Sequence, residues 1–453
     1  MIVQKFGGTS VADPGAVRRL IEIVRTARAR DGRGPVVVVS ALSGVTDALL
    51  AVAAEAGAAR PDAALSQVDL LRERHLSMAR ALAGDEAIGP LASHVEDQFE
   101  QLRAVVKALA VLREVSLRTL DVVAAEGELL SSRIVAAALV HAGLPGEWVD
   151  ARRAIVTNDD HTRAVPLMRE TTAALRALVL PLVEAGRVPV LGGFIGATAE
   201  GQTTTLGRGG SDYSGAIVGA GLEASEIQIW TDVDGMLTAD PRIIARPRLV
   251  PRLSFAEAAE LAYFGAKVLH PSTIHPAVAR DIPVRILNAR KPDGEGTLIT
   301  AAPAPNGDQL TALAAKRDIT VVDITSSRML MAHGFLRQVF EVFERYRTAV
   351  DVVTTSEVSV SVTVDDRRHL DAIVDALSEF AEVSVEPEMA LLCAVGDRLR
   401  AEPGIAARVV GVLEEVPLRM ISQAASRRNI TVIMRQADLP HAMHRLHEEF
   451  FEG

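Results

Sequence analysis

The chain runs on two hydrophobic rhythms. Up to about residue 295, short unbroken apolar runs alternate with longer stretches rich in Ala, Leu, Glu and Arg. Met1-Ile2-Val3, Pro35–Ser40 (PVVVVS), Val188–Ile195, Ile227–Thr231 and Ile282–Leu287 form the short runs. Such runs belong to strands buried on both faces. Leu65–Leu82, Ile88–Val115 and Tyr213–Leu222 read as helices, and Ala41–Thr46 turns into another. This alternation predicts an α/β fold with a largely parallel sheet flanked by helices. Lys5, Ser40, Phe194 and Thr231 fall at predicted strand ends. Ligands in such sheets bind beyond the carboxyl ends of the strands, so these residues are expected on one rim.

The rhythm changes after Ala301–Asp308 (AAPAPNGD), a linker of small residues, Pro and Gly. A weak repeat follows. Its first copy reads as strand Ile319–Ile324, helix Phe335–Tyr346, strands Ala349–Thr354 and Glu357–Val364, helix His369–Phe380 and strand Val383–Pro387. That is βαββαβ, the order of a ferredoxin-like unit. The second copy has Leu391–Val395, Ile405–Leu413, Leu418–Ser422, Asn429–Met434 and Pro440–Phe451, and lacks the last strand. A glycine, Gly334 or Gly404, opens the first helix of each copy.

Composition narrows the class. A chain of 453 residues, 49% hydrophobic and 23% charged, reads as a globular protein of two or three domains. A net charge of −10 argues against nonspecific nucleic-acid binding. The single cysteine, Cys393, lies in the apolar run Met389–Val395 and is expected to be a buried, inert thiol. No secretory pattern and no uncharged apolar run long enough for a membrane span is read, so a cytoplasmic location is expected. His75, His94, His141 and His161 have no metal-ligand spacing and read as surface or capping residues.

Two glycine-rich segments carry candidate chemistry. In Lys5-Phe6-Gly7-Gly8-Thr9-Ser10, glycines let the backbone approach a ligand closely and the lysine supplies a point charge suited to phosphate. The lysine precedes the glycines, so this is not a Walker loop. A strand-to-helix turn with a snorkelling lysine would read the same way. The second segment, Thr203–Asp212 (TTTLGRGGSD), precedes an alanine-rich helix whose N-terminus suits an anion. Arg208 can fork onto a carboxylate or phosphate, and Asp212 can orient a lysine or hold magnesium. The plainer reading is a turn capped by Ser211 or Asp212.

These two segments, with Trp230–Gly235 (WTDVDG) and Phe264–Pro271 (FGAKVLHP), resemble in order the motifs of the aspartokinases, and the resemblance covers essentially the whole chain. It is nearest the lysine-sensitive, monofunctional aspartokinase III type. It implies an amino-acid kinase domain over 1–297, a linker over 298–308 and a regulatory region over 309–453. That region would hold two ACT domains, about 316–388 and about 389–453, one inserted into the other, with strand 309–315 joining the second.

The implied reaction transfers phosphate from ATP to the side-chain carboxylate of L-aspartate. It opens the route to lysine, threonine and methionine, with feedback by L-lysine. A homodimer or larger homo-oligomer is implied, with no nucleic acid or membrane as partner. Lys5 and Asp212 would be catalytic. Lys5, Phe6, Gly7, Gly8, Thr231, Asp232, Leu237, Arg242, Lys267 and Val268 match nucleotide positions. Thr46, Glu128, Arg208 and Ser211 match the aspartate positions, with Glu128 pairing the substrate ammonium and Arg208 its α-carboxylate. Taken alone, Glu128 would read as a solvated helix glutamate. Mg²⁺ would ride on the ATP phosphates rather than in a protein cage.

Met329, Ala332, Phe335, Leu336, Val350, Asp351, Ser356 and Glu357 match effector positions. The second copy has Met420 and Ser426 near the places of Asp351 and Glu357, so only the first is expected to keep the site. Three departures stand out: Leu237 where tyrosine is frequent, Asp234 for proline, and Ala332 for serine. The last would weaken the effector by about 1 kcal/mol, one hydroxyl hydrogen bond. Other readings are a kinase for a different amino-acid carboxylate, such as N-acetylglutamate, and a catalytically inactive amino-acid sensor. Glu128 speaks against an acylated amine, and Lys5, Arg208 and Asp212 speak against inactivity.

Overall fold

The computed structural model describes residues 1–453 except 33, 208, 266–270, 303–309, 327–332, 398, 400, 424–425 and 453. Two compact units emerge. The first comprises 1–236 and 268–302, the second 237–267 and 303–453. The segment 237–267 therefore packs with the regulatory half, although the sequence assigns it to the kinase half.

In the first unit the strand order is Gly146–Val149, Val188–Gly192, Val36–Val39, Ile2–Phe6, Glu226–Thr231, Val284–Asn288, Thr297–Thr300. All neighbours are parallel up to Val284–Asn288, and Thr297–Thr300 runs antiparallel to it. Val36–Val39 is wholly buried, as an uninterrupted valine run in a central parallel strand should be. Residues 298–300, expected to begin the linker, belong instead to this last strand, Thr297–Thr300. The expected strand Val188–Ile195 stops at Gly192, and Phe194 takes a left-handed φ of 64°. That turn sends Ile195–Ala197 into a separate two-stranded sheet with Thr203–Thr205.

Helices Val45–Gly57, Pro61–Leu82, Asp85–Leu112 and Leu117–His141 share one apolar core with the sheet. His75, expected near the surface, is fully buried in that core. Its Nδ1 donates to the Leu71 carbonyl at 2.7 Å, and burial pushes its pKa down to about 4.

The second unit contains one six-stranded antiparallel sheet, in the order Val353–Thr355, Ser359–Val364, Ala312–Thr325, Glu382–Val395, Asn429–Arg435, Leu418–Ser422. Its two central strands are long and serve both copies of the repeat. Ala312–Lys316 pairs with Leu391–Val395, in the outer copy, and Val321–Thr325 pairs with Glu382–Glu386, in the inserted one. Within the expected strand 309–315, Ala312–Ala315 pairs with Leu392–Val395. The expected copy boundaries fall inside continuous strands. They are marked by register breaks between Lys316 and Val321 and by left-handed Asp318 and Glu388, at φ 59° and 58°. Gly334 and Gly404 sit at φ 90° and 82° before helices Phe335–Arg345 and Ile405–Val412, a conformation glycine adopts without steric cost. Each copy has its own apolar cluster. Cys393 is buried within the sheet, and burial pushes its thiol up to about 12, which makes it inert. Among the described residues no helix is long and apolar enough to cross a membrane.

Candidate active site

The carboxyl ends of the parallel strands open into a cavity of about 920 Å³ in the first unit. Lys5 lies near the end of the first strand and Gly7 and Gly8 follow it, Ser40–Gly44 follow the second, Phe194 the fourth, and Thr231 ends the strand Glu226–Thr231 with Asp232 just after it. Thr46, Glu128, Gly207, Gly209, Gly210, Ser211 and Asp212 complete the wall beside them. The shared rim expected from the alternation of strands and helices is present.

Lys5 is 7% exposed, and its Nζ lies 2.7 Å from Asp212 Oδ1. Helix Gly210–Gly221 brings Asp212 there by packing on the lysine stem, where a Cβ on Gly215 would come 3.1 Å from Lys5 Cβ. Gly207 and Gly209 take φ 76° and 73°, which turns the chain sharply into that helix. The first turn of a helix has amides with no partner inside the helix, so Ser211 and Asp212 present both donors and positive dipole to the cavity. Gly8 packs closely on the next loop, where a Cβ would come 3.3 Å from the Ala41 carbonyl oxygen. Gly7 does not supply a phosphate donor as expected: its amide donates to the Trp230 carbonyl at 3.0 Å. Phe6 is not a wall residue either. Its ring is fully buried and stacks on Trp230, with centroids 6.1 Å apart.

The amino-acid end is built by helix Leu117–His141, which lines the cavity with Leu117, Leu120, Asp121, Ala124 and Glu128. That spacing is one helical face. The Ser131 hydroxyl of the same helix holds the Ser40 carbonyl at 2.8 Å, and the Arg74 guanidinium holds that of Ser43 at 2.8 Å. The loop leading to Thr46 is thereby fixed. Glu128 is 2% exposed, and its Oε2 has no hydrogen-bond partner among the described residues. Burial pushes its pKa up to about 8, against the pull of nearby backbone amides and the Lys5 charge. A buried carboxyl in a cavity wall with one oxygen lacking a partner among the described residues is placed to meet a cation, so the solvated reading of Glu128 fails.

Asp121 escaped the sequence reading. It is wholly buried, accepting from the Thr205 hydroxyl at 2.5 Å, the Thr162 amide at 3.0 Å and His161 Nδ1 at 2.6 Å. The signal was its spacing from Glu128, two turns along one face.

Arg208, Lys267 and Val268 lie outside the described residues, as do Met329 and Ala332. Leu237 and Arg242 belong to the second unit, where Leu237 bridges Leu249 and the Arg242 guanidinium binds Asp240 at 2.6 Å. Asp234 accepts from Asn288 Nδ2 at 2.5 Å and pairs with Lys291 at 2.8 Å. Among the described residues no cluster of three or more His, Cys, Asp or Glu could hold a metal ion.

In the regulatory unit, Phe335 is a core residue, edge-on to Phe380, and Val350 packs against the same core. Leu336 and Glu357 are exposed, as is Ser356, whose hydroxyl bonds that of Ser359 at 2.7 Å. Asp351 was expected to wait for an effector ammonium, yet it already holds one. Its side chain is 6% exposed, its Oδ2 lies 2.9 Å from Lys316 Nζ, and its Oδ1 accepts from the Tyr263 hydroxyl at 3.2 Å. Lys316 also pairs with Asp365 at 2.5 Å. Burial works against the charge of Lys316, but the bonds to Asp365 and Asp351 outweigh it and raise its pKa. In the second copy Ser426 donates to Glu260 at 2.5 Å. Helix Phe255–Tyr263 thus touches both copies, Tyr263 meeting Asp351 in one and Glu260 meeting Ser426 in the other.

Comparison with known proteins agrees with this geometry. The amino acid kinase family matches residues 1–288, and an ACT domain matches 392–450. Aspartokinase 1 of Arabidopsis thaliana, a chloroplastic protein, is 37% identical over 466 residues, which span 100% of this chain and 80% of that protein. The lysine-sensitive aspartokinase 3 of Escherichia coli is 35% identical over 460 residues, 100% of this chain and 99% of that protein. The crystal structure of E. coli aspartokinase III with lysine and aspartate, a T-state, superposes with a TM-score of 0.85 over 100% of this chain and 99% of that one. Its R-state, with aspartate and ADP, gives 0.83 at 35% identity over 100% of both chains. On full-length similarity and on the arrangement of its motifs around one cavity, the chain belongs to the aspartokinase family.

Proposed function

We propose that the chain phosphorylates the side-chain carboxylate of L-aspartate with ATP, giving 4-phospho-L-aspartate and ADP. The product would enter the route to lysine, threonine and methionine. The observation that carries the reading is the Lys5–Asp212 pair in a cavity also walled by Glu128, Thr46 and the first turn of helix Gly210–Gly221. The acceptor carboxylate has a pKa near ~3.9 and is ionised at neutral pH, so no general base is needed. The task is to suppress repulsion between two anions and align them. Lys5 supplies the charge, and Asp212 fixes its position. Glu128 takes the substrate ammonium, Thr46 and Ser211 orient the substrate, and Arg208 is assigned its α-carboxylate. Asp212 and Asp232 offer the hard oxygens that suit a phosphate-bound Mg²⁺, which neutralises charge on the transferring group when bound. The test is ADP release with aspartate, glutamate and N-acetylglutamate as acceptors. Aspartate should be the substrate, and turnover of N-acetylglutamate in its place would overturn the assignment.

Glu128 gives this reading a pH signature. Its folded pKa, about 8, lies above the ordinary 4.5, so the empty site binds a proton that the unfolded chain has lost. Stability of the ligand-free protein should therefore fall as pH rises from about 4.5 to 8. Aspartate needs the ionised form, so its KM should fall as pH rises from 6.5 toward 8. Glu128→Gln should flatten both trends, melt higher at alkaline pH and bind aspartate far more weakly. Parallel melting and KM profiles for the two proteins check this.

Feedback by L-lysine is the second part of the proposal, with the first copy of the repeat as the site and a homodimer held through the regulatory region. Leu336 and Phe340 on one helix, and Val353 and Val358 near the edge strand, are exposed and suit such a contact. Since Asp351 already holds Lys316, an effector ammonium must compete with it. Lys316→Met should therefore lower the half-inhibitory lysine concentration by about tenfold, the scale of one charge-assisted hydrogen bond freed for the effector. A lysine titration of activity decides this, and an unchanged midpoint would remove Lys316 as competitor. Displacing Lys316 also disturbs Tyr263, which ends a helix just before the segment carrying Lys267.

A further inference from the structure

The geometry points to Asp121 as a positioning residue for the amino-acid substrate, acting through two loops that it ties to the Glu128 helix. This inference rests on the reading of the cavity as an amino-acid kinase site. Asp121 and Glu128 stand on the same face of helix Leu117–His141, and both line the cavity. Asp121 itself is 0% exposed, so it reaches a ligand only through its partners. Those partners come from two separate segments. Thr205 ends the short strand that runs into the glycine loop, and it donates to Oδ1 at 2.5 Å. His161 Nδ1 donates to Oδ2 at 2.6 Å, and the Thr162 amide bridges both oxygens at 3.0 and 3.1 Å.

The two segments are also locked to each other. The Ala164 amide donates to the Thr205 carbonyl at 2.9 Å. The Thr162 carbonyl oxygen lies against Gly207, where a Cβ would meet it at 3.1 Å. Thr162 itself takes φ 70°, a left-handed conformation that a β-branched residue holds only when its surroundings impose it. Its amide on the Asp121 carboxylate is what imposes it. The carboxylate therefore sets the distance between Glu128, the candidate ammonium partner, and the Gly207–Asp212 loop, the candidate carboxylate end. The Thr162 amide faces both oxygens and the Thr205 hydroxyl donates to one of them, so acceptors are needed on both sides of this side chain. Asparagine has the same shape, but its amide group would face a donor whichever way it turned.

Steady-state kinetics of Asp121→Asn against wild type test this. The KM of the amino-acid substrate should rise about tenfold, the scale of one lost charge-assisted hydrogen bond. The KM of ATP should stay unchanged and kcat should hold within about threefold. A merely structural carboxylate would give a lower kcat, from loss of folded protein, with both KM values intact, and that result overturns the proposal. Equal rises in both KM values overturn it as well. His161→Gln removes one donor from the rim and keeps the core untouched, so it serves if Asp121→Asn does not fold. It should raise the amino-acid KM alone, by about threefold, a weaker version of the same loss. An unchanged KM in His161→Gln overturns the proposal. The comparison uses whichever amino acid the wild type turns over. A wrong substrate assignment therefore shows in the wild type, and a wrong role for Asp121 shows in the ratio between proteins.

Discussion

Lys5→Ala should lower kcat by about 10³, the usual cost of losing a preorganised charge on a transferring phosphoryl group. Three features concentrate the effect in this residue. Lys5 sits at the end of a central strand, so its backbone is fixed by neighbours on both sides. Its stem is clamped by helix Gly210–Gly221, and its charge is held by Asp212 at 2.7 Å. An ammonium held this way needs no reorganisation as the transition state forms. A side chain of water-exposed mobility would be worth far less. Asp212→Asn keeps the shape and frees the lysine, so its loss of kcat should be smaller. Rapid-quench or coupled-assay rates at saturating aspartate and ATP measure both. Near-normal turnover by Lys5→Ala would remove the lysine from the chemistry altogether. A rate lost only through a raised ATP KM would make it a binding residue.

Asp351→Ala should leave uninhibited activity intact and cost the lysine effector about 2–5 kcal/mol, the penalty of truncating one partner of a buried charge pair. At that size the half-inhibitory concentration rises by about 30-fold or more. A ligand shifts an equilibrium only by its difference in affinity for the two states. Asp351 is suited to supply that difference, because its oxygens are shared between Lys316 in the sheet and Tyr263 of a helix leading toward the nucleotide motif. Tyr263→Phe removes one hydroxyl bond and keeps the charges, so it should retain lysine binding and weaken the inhibition that follows. Equal lysine responses in wild type and Asp351→Ala would place the effector elsewhere. A wild type that ignores lysine and responds to threonine would reassign the branch.

The fold was legible where pattern and physics coincide. Val36–Val39 could only be a central strand, and Gly334 and Gly404 announced the two equivalent helices. The rim of the site was legible because strand ends carried glycines and charges together. What stayed hidden depended on contacts remote in sequence. Nothing near Asp121 states that Thr162 and Thr205 will meet it, and nothing near Asp351 announces Lys316 and Tyr263. The surroundings of Gly7 and Phe6 stayed hidden for the same reason. A motif states which residues are present, but Trp230 decides that the ring is core and that the amide is already bonded. That the segment 237–267 packs with the regulatory residues was hidden too, because its helix meets them through Glu257 and Thr311, far apart in sequence.

The two long strands at the centre of the regulatory sheet constrain how that region comes to exist. Ala312–Lys316 emerges early in synthesis, but its partner Leu391–Val395 follows only after the whole inserted copy. The inserted copy can close from Thr320–Glu386 on its own, since the strand pairings of its described residues fall within that span. The outer copy cannot, and its first strand stays without its partner until Leu391–Val395 has followed. Assembly should therefore proceed from the inside outward, with the terminal segment as the closing piece. The same interleaving rules out a cut between the copies, because each central strand continues from one into the other. Regulatory halves exchanged between relatives should work as intact pairs, and a single copy trimmed at residue 388 should expose a broken sheet and aggregate.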